Sequence, residues 1–126
     1  MLIFQYNDIF QDIYEKAAEE YPEIKDVVIV VNTHCSEGGV SVGKGVGENE
    51  GQFLISCCGS NDNLTHVFSG FALGLAMVIF DLKYGEFDYA TMPEEQKTEF
   101  DGMFHGFYPD SERVTNLNIR HDSSEA

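Results

Sequence analysis

Residues 26–58, DVVIVVNTHCSEGGVSVGKGVGENEGQFLISCC, decide the fold. Residues 26 to 34 are a β-branched run, too short for a helix and too uniformly apolar for a half-exposed edge, and therefore read as a strand. The tetrad Ser36-Glu37-Gly38-Gly39 reads as a turn. In the second strand Val40, Val42 and Val46 share one face, while Ser41, Gly43, Gly45 and Gly47 leave the other nearly bare. ENEG, Glu48 to Gly51, is a second turn, and Gln52 to Cys58 is a third strand. The economical topology is a three-stranded antiparallel meander.

Upstream, Ile9, Phe10, Ile13, Ala17 and Tyr21 recur at helical spacing, with Asn7 or Asp8 as cap, and predict a helix over about 7–21. Pro22 ends it, because the residue before a proline is pushed out of the helical region. Downstream, Ser60 to Asn63 offer caps to a second helix over about 63–83. Its uninterrupted apolar core, Phe71 to Phe80, is short of the roughly 18 to 20 residues that span a bilayer. A buried central helix is expected instead. Gly70 and Gly74 mark a close backbone approach on it, with the bare face of the second strand as the expected neighbour.

Tyr84 to Ala90 reads as a loop or short strand. Pro93, Glu94 and Glu95 open a short third helix, ending before Gly102 or Gly106, whose Phe100, Phe104 and Phe107 close the core. The expected class is α+β: an N-terminal helix, the meander, a buried apolar helix and a short C-terminal helical section. Residues 1–109 form a single domain in this reading. Residues 110–126 are a polar tail, or a terminal strand around Val114 to Ile119.

The chain has 22 acidic and 7 basic residues, a net charge of −15, and 43% hydrophobic residues. That much apolar material folds rather than staying disordered. The charge opposes direct binding to nucleic acid or to an anionic membrane, and points to a basic partner. The N-terminus lacks the basic and long apolar regions of a secretory signal, so a cytoplasmic location is expected. Three cysteines, two of them adjacent, do not form a disulfide framework and are expected as thiols.

No catalytic set is apparent, and no cofactor is expected. Gly43-Lys44-Gly45-Val46-Gly47 fits neither a Walker loop nor a dinucleotide fingerprint, since its glycines lie within a strand that leads into another strand. His34, Cys35, Cys57, Cys58 and His66 converge at one end of the predicted sheet. A thiol- or metal-dependent enzyme built on Cys57 or Cys58 with His34 or His66 is one alternative, the second helix N-terminus favouring a thiolate. Adjacent strand cysteines point to opposite faces, however, and standard metal spacings are missing. Core packing is the plainer role for such cysteines. His105 and His121 read as surface residues.

The feature that does suggest function is a row of carboxylates. Asp8, Asp12, Glu15 and Glu19 follow at steps of four, three and four, with Glu23 just beyond Pro22. Neighbours in such a row lie about 5 to 6 Å apart, close to the spacing of backbone phosphates. Lys16 is the single cation of that helix. Glu94, Glu95 and Glu99 supply a second acidic face, which merges with the first if the two helices are neighbours.

The expected function is a noncatalytic acidic interaction protein, an inhibitor that blocks the basic, nucleic-acid-binding surface of a partner as a DNA mimic. Small acidic inhibitors that phages and mobile elements direct against restriction or CRISPR systems share this size and charge, a likeness of bulk properties only. The plainer alternative is a solvated face that serves solubility. A structural homo-oligomer and a small-molecule-binding domain are further alternatives.

Overall fold

The computed structural model describes residues 2–3, 8–32, 39–58, 64–85, 87–108 and 121–123. The chain is α+β. In order it forms β1 (Leu2–Ile3), α1 (Asp8–Glu20), β2 (Val28–Asn32), β3 (Gly39–Lys44), β4 (Gln52–Cys58), α2 (Leu64–Tyr84), α3 (Glu94–Phe107) and β5 (His121–Ser123). Short 3-10 turns occupy Pro22–Asp26, Gly47–Asn49 and Tyr89–Thr91.

The strands build one mixed sheet in the order β1-β2-β4-β3-β5. This corrects the antiparallel meander. Only β3 and β4 pair antiparallel, joined through Gly47 and Gly51 at φ of 63° and 89°, conformations that favour glycine. β2 skips β3 and pairs parallel with β4, Val28 opposite Gln52 and Asn32 opposite Ser56. The physical reason lies in composition: the sheet centre goes to the bulky Phe53-Leu54-Ile55 run, and the small-residue β3 is displaced towards the rim. β1 and β2 are also parallel, with α1 as the crossover that parallel strands require.

β3 stops at Lys44, short of the expected Gly47, after which Gly45 N–H donates to the Gln52 carbonyl at 2.9 Å. Tyr89–Thr91 forms a 3-10 turn that begins in the expected Tyr84–Ala90 loop and ends one residue past it, and α3 runs through Gly102 and Gly106 to Phe107. The turn at Ser36–Gly38, the caps at Ser60–Asn63 and the strand at Val114–Ile119 lie outside the described residues. β5, pairing parallel with β3, begins two residues after that expected strand.

Helix α2 is the centre of the core. All of its residues from Val67 to Asp81 are buried. Val67–Tyr84 is long and apolar enough to cross a membrane, and 83% of it is buried within the protein. It lies on the sheet face formed by Val40, Val42, Ile55 and Cys57. Gly70 meets Val40 and Cys57, and Gly74 meets Ile55. The expected meeting of a bare helix face with a bare strand face is therefore corrected: the helix glycines make room for branched side chains, since two bare faces would leave a void. Phe10 of α1 packs edge-on against Phe68 and Phe71, and Phe100 of α3 against Phe80, with centroids 5.3, 5.1 and 5.2 Å apart.

Candidate functional site

Helix α1 owes its orientation to Phe10, Ile13, Tyr14, Ala17 and Ala18, which are buried against the core. That places Asp12, Glu15 and Glu19 on the opposite, solvent-exposed face. Asp8 is the first residue of the helix, and its side chain lies outside the described residues. Gln11 donates to Glu15 at 3.2 Å. Among the described residues no cation pairs with Asp12, Glu15 or Glu19.

The last turn of α1 carries Glu19 and Glu20 and no basic residue. Carboxylates at a helix C-terminus oppose the macrodipole at a cost of about 0.3 to 1 kcal/mol each when exposed. Tyr21, outside the helical region at φ −130° and ψ 74° before Pro22, ends the helix. Glu23 is exposed in the following 3-10 turn rather than on the helical row itself.

The second acidic face behaves differently. Glu94 and Glu95 are exposed in the first turn of α3, where their charge suits the helix dipole, and Glu94 lies 3.8 Å from Lys97. Glu99 accepts from Lys83 at 2.6 Å and from the Tyr84 hydroxyl at 2.8 Å. The Lys83 hydrogen bond holds Glu99 below its ordinary value, against the opposing effect of burial, while Glu99 raises Lys83. Asp88 accepts from the Ala90 N–H, and Asp101 from the Tyr89 hydroxyl at 3.4 Å. Glu99 thus ties α3 to α2, and Asp101 ties α3 to the Tyr89–Thr91 turn.

Glu20 of α1 and Glu99 of α3 both act on Tyr21, a convergence the sequence reading missed. Its ring packs edge-on against Phe107, with centroids 5.9 Å apart. Its phenol is raised by burial and then by Glu20, with Glu99 and Glu23 acting the same way and Lys83 opposing them. Carboxylates of α1, the turn and α3 are therefore close enough to act on one hydroxyl. Glu20 was overlooked because it lies one residue off the row of four-three-four steps.

The sulfhydryl reading loses its central residue. Cys57 is fully buried under Gly70, and burial pushes its thiol up to about 12. A thiol so raised is not a nucleophile near neutrality. His34 and Cys35 lie outside the described residues, as do the side chains of Cys58, His66 and His121. No group of three or more His, Cys, Asp or Glu side chains suited to a metal occurs among the described residues. His105 is half-buried and stacks on Phe104 at 4.3 Å, rather than standing free on the surface.

One buried acid remains. Asp81 accepts from Lys44 of β3 at 3.2 Å, tying the C-terminal part of α2 to the end of that strand. Lys44 extends from the helix-facing side of β3, opposite Phe53.

Compared with protein-family models, curated proteins and solved structures, the chain matches none.

Proposed function

We propose that the protein is a noncatalytic acidic inhibitor that occupies the basic, nucleic-acid-binding surface of a partner protein by imitating phosphates, in the manner of phage or mobile-element anti-defence proteins. One observation carries the reading. Asp12, Glu15 and Glu19 form an exposed row without pairing cations among the described residues, on a helix whose last turn also sets carboxylates against its dipole. Like charges at these steps cost a few tenths of a kcal/mol per pair, which a purely structural helix has no reason to keep. By contrast Glu99 has Lys83, and Glu94 has Lys97 nearby. The α1 row, with Glu23 in the turn beyond it, is therefore the principal contact, and Glu94 and Glu95 are secondary contacts of this reading.

Such a surface steers a basic partner at long range and loses affinity as salt is raised. The test is affinity capture from host lysate at about 0.05 and 0.5 M salt, with duplex DNA as competitor. The expected catch is a nucleic-acid-binding protein released by salt, displaced by DNA, and lost with the D12N/E15Q/E19Q variant. Capture unchanged by that variant would remove α1 from the contact and overturn the reading.

A further inference from the structure

We draw no further inference here: the strongest candidate, the sheet face turned away from α2 that carries Val28, Val30 and Leu54, is an apolar face with nothing in the structure to show what covers it.

Discussion

Gly74 of α2 lies so close to Ile55 of β4 that a Cβ added to it would stand 2.5 Å from Ile55 Cγ2. The methyl belongs to a β-branched side chain on a central strand and has little room to turn. Gly74→Ala should therefore destabilise the protein by about 1 to 3 kcal/mol, overpacking outweighing a gain in helix propensity of ~1 kcal/mol. Gly102 and Gly106 of α3 have open space at the same position. Alanine there should stabilise by up to ~1 kcal/mol each. Urea denaturation of the three variants checks the opposite signs.

Cys57 should resist alkylation in the native protein. Its thiol is buried and pushed up to about 12, so little thiolate exists at pH 8. In a C35S/C58S background, iodoacetamide labelling followed by mass spectrometry should show modification only as fast as the protein unfolds. Labelling as rapid as that of a free thiol would restore Cys57 as a candidate nucleophile.

The Lys44–Asp81 pair should prove asymmetric to mutation. Replacing Lys44 with Met removes a charged partner of a buried carboxylate, at an expected cost of about 1 to 3 kcal/mol. Replacing both, as K44M/D81L, should recover part of that loss, since no buried charge then remains. A double-mutant cycle by thermal or urea unfolding measures the coupling.

Glu99 gives a pH signature. Its pKa is lowered in the folded protein, so its contribution is present above about 4.5 and is lost as pH falls through the lower folded value. Lys83 is raised, so its contribution is full below 10.5 and is lost as pH climbs beyond it. The stability difference between wild type and Glu99→Gln should be widest between these limits and shrink at both ends. Thermal melts across the pH range read this directly.

Neutralising the α1 row should separate stability from binding. D12N/E15Q/E19Q removes three like-charge pairs at helical spacing, Asp8 with Asp12, Asp12 with Glu15 and Glu15 with Glu19, and should leave stability unchanged or raise it by a few tenths of a kcal/mol. The same variant should lose capture of the basic partner. A large drop in stability would mean that these carboxylates hold the helix in place.

Period and turn chemistry made the helices legible. Of the stripe Ile9, Phe10, Ile13, Ala17 and Tyr21, the buried Phe10, Ile13 and Ala17 defined the extent of α1 and which of its acids face solvent, although Ile9 is exposed and the buried Tyr14 was not counted, and the apolar run of α2 defined the central helix. β4 was legible to its end residues. Strand order was not, because nothing local in Val28–Asn32 records that its partner is Gln52–Cys58 rather than the nearer Gly39–Lys44. β1 was missed since two residues carry no period. Glu94, Glu95 and Glu99 read as one acidic face, whereas Glu99 is held by Lys83 and Tyr84, side chains on another helix.

The position of β4 between β2 and β3 bears on the order of folding. The chain leaves β2, lays down β3 two places away, and only then supplies the strand that fills the space between them. The β3–β4 hairpin is local and can form early, whereas registering β4 against β2 closes a longer loop and raises contact order. Refolding should therefore be limited by docking of the hairpin along β2. Val30 of β2 belongs to that docking step, so weakening it should divide between the folding and unfolding rates, whereas changes within the hairpin, Ile55 included, should slow folding itself.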